Sequence, residues 1–179
     1  FREFFGLRGL ELYKFVHWED DRPLVLDQKP KSMGEEITFP EDISDKGQAI
    51  SVFKNLRAKV GYRLRRSGYH ARTLTIKIRY SDFKTVTRSI PPDYLLYTDG
   101  DIYKIAINLF NTLNNKQPIR LLGIQVASFE KDVQLSLFSE KENKQIKLAD
   151  LIDELNNKYG IKVICRGCSG PNLFINEEG

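Results

Sequence analysis

Nine lysines and arginines lie between residues 51 and 80, with no aspartate or glutamate among them. Such a run can neutralise phosphates and draw a polyanion toward itself. It can equally be a solvated face that only keeps the chain soluble. The wider balance is uneven: residues 31–90 carry 13 basic and 6 acidic side chains, whereas residues 130–179 carry 7 and 9. The overall net charge of +4 therefore hides one strongly basic third. Other chemistry is poorly supplied. The two histidines, His17 and His70, stand apart. Cys165 and Cys168 have the spacing of a redox pair or half a zinc site, but a tetrahedral zinc needs two more ligands. Asp20 and Asp21 have no metal-ligand partner at useful spacing and read as a turn. Glu35 and Glu36 are adjacent, so an extended strand sends them to opposite faces. Glycine-rich phosphate loops and a nucleophile–histidine–acid set are both missing. No catalytic residue, cofactor-binding residue or metal ligand is assigned to this chain.

A second candidate site is apolar. Gln134, Leu135, Ser136, Leu137 and Phe138 form a short hydrophobic hook with charged residues on both sides. Leu135, Leu137 and Phe138 can fill pockets of a partner groove while Gln134 bonds at its rim. The alternative is an anchor folded back onto this same chain.

The elements that must position these residues follow from periodicity. Residues 1–23 hold Phe4, Phe5, Leu7, Leu10, Leu12, Tyr13 and Phe15 at helical spacing, interrupted by Gly6 and Gly9. So short and apolar a segment needs a partner, which upstream sequence could supply. Residues 24–31, with Lys29, Pro30 and Lys31, read as an extended linker. A strand is expected over Ser32–Phe39, closed by Pro40. Asp45 or neighbouring Ser44 can cap a helix whose apolar stripe is Ile50, Phe53, Leu56, Val60 and Leu64, ended by Gly68. Arg72–Tyr80 alternates as a strand, and Phe83–Ile90 makes the next, with uncertain register. Asp99 can cap a second helix carrying Ile102, Ile105, Ala106, Leu109, Phe110 and Leu113. Ile119–Phe129 is a long final strand. A further helix bears Ile146, Leu148, Ala149, Leu151, Ile152 and Leu155, and packs on the main domain or on parts outside this chain. No apolar stretch approaches the roughly 20 residues a membrane helix needs. A soluble, intracellular protein with reduced thiols is expected.

The order β-α-β-β-α-β predicts an α+β fold, one antiparallel or mixed sheet with both helices on one face. Leu74, Ile76 and Ile78 need those helices. Thr73, Thr75, Lys77 and Arg79 must then look outward, where hydroxyls and cations can lie along a sugar–phosphate backbone. The strands lack an alternating aromatic pair on that face, which argues against a module that stacks single-stranded bases. A single-stranded nucleic-acid-binding module and a protein–protein adaptor remain as alternatives.

Specific stretches also resemble the C-terminal part of bacterial Y-family translesion DNA polymerases (DNA polymerase IV, ImpB/MucB/SamB-like). Ser32-Met33-Gly34-Glu35-Glu36-Ile37-Thr38-Phe39 resembles the strand that opens the family's little finger domain. Arg72-Thr73-Leu74-Thr75-Ile76-Lys77 and Tyr80-Ser81-Asp82-Phe83-Lys84-Thr85-Val86-Thr87-Arg88-Ser89 resemble its next two strands, and Arg120-Leu121-Leu122-Gly123-Ile124 its last. Gln134–Phe138 resembles the bacterial sliding-clamp-binding motif. The resemblance implies the end of a thumb at residues 1–23, a linker at 24–31, a little finger at 32–129 and a clamp-binding, helical extension at 130–179. It implies primer–template DNA contacts by backbone groups around Ser32, Met33, Gly34 and Glu35, and by Arg72, Thr73, Lys84, Thr85, Thr87, Arg88 and Ser89, beside Thr75 and Lys77 from the sheet-face reading. The implied partners are primer–template DNA, the sliding clamp and the palm, fingers and thumb of the same polypeptide. Mg2+ is implied only for that palm. The implied setting is the cytoplasm and the SOS response.

Overall fold

The computed structural model describes residues 2–23, 29–113, 117–131, 140–159 and 164. The chain divides into two compact units, Phe1–Pro30 and Lys31–Gly179. The first contains helices α1 (Arg2–Phe5) and α2 (Arg8–Val16). Gly6 between them takes a φ of 59°, a conformation glycine adopts without strain. After α2, Nε and Nη2 on one guanidinium edge of Arg22 donate to the two Asp20 carboxylate oxygens, at 2.7 and 2.6 Å. That grip holds Asp20 down at about 2, so this acid is committed to a turn.

The second unit is a four-stranded antiparallel sheet with helices. Its strands are β1 (Ser32–Ile43), β2 (His70–Tyr80), β3 (Thr85–Ile90) and β4 (Ile119–Glu130), arranged β1-β4-β2-β3. The helices are α3 (Lys46–Arg66), α4 (Asp99–Thr112) and α5 (Glu140–Tyr159). The α+β expectation holds. Leu74, Ile76 and Ile78 of β2 and Leu122, Ile124 and Val126 of β4 are all buried, together with Phe53, Leu56, Val60 and Leu64 of α3 and Ile102, Ala106 and Phe110 of α4. One sheet face therefore carries most of the apolar layer, with Leu121 of β4 the buried exception on the other face. Phe53 and Phe110 meet edge to face at 5.2 Å where α3 and α4 cross.

Three local details differ from expectation. Pro40 does not close β1, which runs on to Ile43 after a register shift between Thr38 and Ile43. β1 is an edge strand, where a residue without an N–H costs no ladder bond. Helix α4 is capped by Thr98, whose hydroxyl accepts from the Asp101 amide at 3.3 Å, and not by Asp99. Asp99 sits in the first turn and serves another purpose: it receives Arg65 Nη1 at 2.6 Å. The Arg65 side chain, only 5% exposed, also holds Asp153 of α5 through Nε at 2.6 Å and Nη2 at 3.1 Å. Tyr62 donates to Asn157 at 2.7 Å and Tyr97 to Asp150 at 2.9 Å. Helix α5 thus docks on this domain by a polar stripe, Asp150, Asp153 and Asn157, while Leu148 and Leu151 stay exposed.

Candidate nucleic-acid interface

Register decides which side chains share a surface. Residues paired directly across antiparallel strands project to the same face. Thr75 pairs with Ser89 and Gln125, Lys77 with Thr87 and Gly123, and Arg79 with Thr85 and Leu121. Thr73 pairs with Ala127, which pairs in turn with Ser32. Continuing into β1, Gln125 meets Gly34, Gly123 meets Glu36 and Leu121 meets Thr38. The face away from the helices is therefore a sheet of Ser32, Gly34, Glu36 and Thr38, then Leu121, Gly123, Gln125 and Ala127, then Thr73, Thr75, Lys77 and Arg79, then Thr85, Thr87 and Ser89.

Its surface chemistry is mostly hydroxyl and cation. Thr75 and Ser89 hydroxyls bond to each other at 2.7 Å, and Arg79 Nε donates to the Thr85 hydroxyl at 3.0 Å. No aromatic residue occupies any of these positions, so the face offers no platform for a stacked base. Its middle is low. A Cβ at Gly34 would lie 3.1 Å from the Ile124 carbonyl oxygen, and one at Gly123 would lie 3.0 Å from the Glu36 Cβ.

Several expected site residues lie elsewhere. Arg88 pairs with Ile76, whose side chain is fully buried toward the helices. Arg88 therefore projects from the opposite side of β3, and is exposed only because β3 is an edge strand. It does not share a surface with Thr73, and the expectation of one common surface is corrected at this residue. Met33 pairs with Val126 and is buried at 8% exposure, so its side chain belongs to the core. Glu35 pairs with Ile124 on the helix side, where Lys59 reaches it at 3.1 Å and Arg63 at 3.4 Å. Gly34 keeps its backbone toward the open β1 edge, where its carbonyl accepts from Arg63 at 2.9 Å. Lys84 lies in the β2–β3 turn and is exposed; its carbonyl accepts the Tyr80 amide at 3.0 Å. Arg72 is exposed and donates from Nε to Glu130.

The basic run is thus less bare than its composition suggests. Lys59, Arg63, Arg65, Arg72 and Lys77 all have carboxylate partners. Glu36, Thr38, Gly123 and Gln125 were not singled out as part of the interface. The alternation Ser32, Gly34, Glu36, Thr38 carried a signal for β1, but placing it beside Lys77 required the strand order. The five hook residues Gln134–Phe138 and both cysteines lie outside the described residues. Among the described residues no group of three or more His, Cys, Asp or Glu could hold a metal ion. Nor is any described helix long and apolar enough to cross a membrane.

Residues 30–137, more than half of the chain, match the impB/mucB/samB family C-terminal domain. The chain belongs to this family. It is 40% identical over 144 residues to DNA polymerase IV 1 of Bacillus subtilis, a match covering 78% of the chain and 35% of that protein. DNA polymerase IV 1 of Halalkalibacterium halodurans is 31% identical over 173 residues, covering 91% of the chain and 41% of the relative. The chain thus spans about two fifths or less of these curated relatives. A solved structure described as a complex of beta-clamp processivity factor and little finger domain of PolIV aligns with a TM-score of 0.48 and 20% identity, over 60% of this chain and 99% of that one.

Proposed function

We propose that this chain is the DNA-holding and clamp-docking end of a translesion DNA polymerase, and that it grips primer–template DNA without reading its sequence. The observation that carries this reading is the in-register outward face, with Thr73, Thr75, Lys77 and Arg79 beside Thr85, Thr87 and Ser89. Hydroxyls and cations spaced along strands can bond successive phosphate oxygens, and such contacts position a duplex without specifying bases. Gly34, with no side chain of its own, lets a sugar–phosphate rail approach the backbone of the β1 edge closely. The absent aromatics weigh against the single-stranded nucleic-acid-binding alternative.

In this reading residues 1–23 end a thumb, 24–31 link it to the little finger, and the segment after residue 130 carries the clamp hook Gln134–Phe138 ahead of α5. The hook's assignment rests on its residue pattern and on its place at the C-terminal end of the family match. Nucleotide addition belongs to a Mg2+-binding palm elsewhere in the polypeptide, and the work is done in the cytoplasm as part of the SOS response. In a protein–protein adaptor the basic helix would be only a solvated surface.

Titration of the chain against duplex primer–template, single-stranded DNA and unrelated sequences at rising salt tests the proposal. Binding should be weak and sequence-independent. Its log affinity should fall linearly with log salt, by about 0.9 per phosphate neutralised. An affinity indifferent to salt would defeat the phosphate-contact reading, and tighter binding to single strands than to duplex would favour the alternative.

A further inference from the structure

One carboxylate interrupts the outward face. Of the fifteen positions that register brings to it, Glu36 alone is acidic. Glu36, Gly123 and Lys77 stand in line across β1, β4 and β2. Neighbouring strands run about 4.8 Å apart, so Glu36 and Lys77 start roughly 10 Å from each other. Two long side chains can meet over that gap only if the position between them is bare. Gly123 keeps it so: a Cβ there would stand 3.0 Å from the Glu36 Cβ and 3.6 Å from Glu36 Oε2. Lys77 Nζ reaches Glu36 Oε2 at 2.8 Å, directly over the glycine. The pair remains wet, with side chains 35% and 51% exposed.

We infer that Glu36 is a built-in competitor for phosphate at Lys77, and that it sets how weakly the little finger holds DNA. The inference rests on the functional reading given above. An exposed ion pair contributes little, so an arriving phosphate can displace the carboxylate. The exchange is not free, because the displaced Glu36 is left beside a second anion. It also takes up a solution cation, which offsets one counterion released from DNA and flattens the salt dependence. A domain that must follow a moving primer end gains from contacts that can be exchanged in place rather than broken outright.

The test is a double-mutant cycle on the full chain, read by salt-dependent titration of duplex primer–template DNA. Thermal melting of each variant confirms that the fold is kept. Glu36→Gln keeps the shape and removes the charge. It should bind about three- to tenfold more tightly at low salt, with a salt slope steeper by up to about one. Lys77→Gln should weaken binding, and in that background Glu36→Gln should add little. An equal gain with and without Lys77 would reduce the effect to general repulsion and overturn the competitor role. So would a Glu36→Gln chain that binds no tighter while the wild type binds DNA normally. A wild type that ignores DNA at every salt concentration would bring down the functional reading, and this inference with it.

Discussion

Arg65 shows how one buried cation can join three helices. Its guanidinium is sandwiched between Asp99 of α4 and Asp153 of α5, and these two acids keep it charged despite burial. Removing one member of such a set leaves buried charge unpaired. Arg65→Ala should therefore cost about 3 kcal/mol, measured as a loss of denaturant stability, while Arg66→Ala at the exposed neighbouring position should cost almost nothing. His70 offers a pH handle. Its ring stacks on Tyr97 at 4.5 Å, and both ring nitrogens are buried without a hydrogen-bond partner. Burial lowers its pKa from the ordinary 6.5, against a smaller upward pull from Asp150 and Glu130. A lowered folded-state value means that the unfolded chain binds the proton more readily. The stability contribution is thus complete above 6.5 and is lost as pH falls from there toward the folded value. Denaturation midpoints followed downward from neutral pH should show this loss, and His70→Phe should flatten it. Composition makes both residues look like ordinary members of a basic run; only their neighbours reveal an anchor and an uncharged stacking ring.

Among the elements, helix α3 depends on one small residue. A Cβ at Gly61 would lie 2.0 Å from Asp99 Oδ1 and 3.0 Å from Arg65 Nη1. Gly61→Ala must therefore push α3 from α4 or break the Arg65–Asp99 bond. Either outcome should cost about 2 kcal/mol in thermal or denaturant melting, well beyond the small gain expected from alanine's better helix propensity. The strands make a different prediction. Lys77 and Arg88 are both cations on paired strands, yet register sends them to opposite faces. Lys77→Gln should weaken DNA binding several-fold, whereas Arg88→Gln should have a smaller effect in the same titration. The elements themselves were largely legible, because strict two-residue alternation in Leu74, Ile76 and Ile78 and three- and four-residue spacing in Ile50 to Leu64 each have one structural meaning. What period alone could not reveal was strand order. Without the β1-β4-β2 neighbourhood, Glu36 had no reason to be linked to Lys77. The Arg88 side was equally hidden, since β3 lies at an edge and buries too little to betray its parity. Likewise Thr98 and Asp99 are both good caps, and the choice between them depended on Arg65, 34 residues upstream of Asp99.

At the scale of the whole molecule, the proposed tasks fall on different residues. DNA is assigned to the sheet face, helix α5 docks by contacts from α3 and the β3–α4 connection, and the clamp is assigned to Gln134–Phe138. Leu137→Ala with Phe138→Ala should abolish binding to a bacterial sliding clamp in a pull-down or calorimetric titration, and leave the DNA titration unchanged. Loss of both activities would mean that the hook is a core element. The sheet has a further consequence through its two unpaired borders. An exposed border invites a second chain to add itself as one more strand. Here β1 carries Pro40, an irregular register after Thr38, and the charges of Glu35, Glu36, Glu41 and Asp42 along the border in question. Those features discourage fibre-like growth. They let copies of the chain stand side by side at high concentration without fusing to one another.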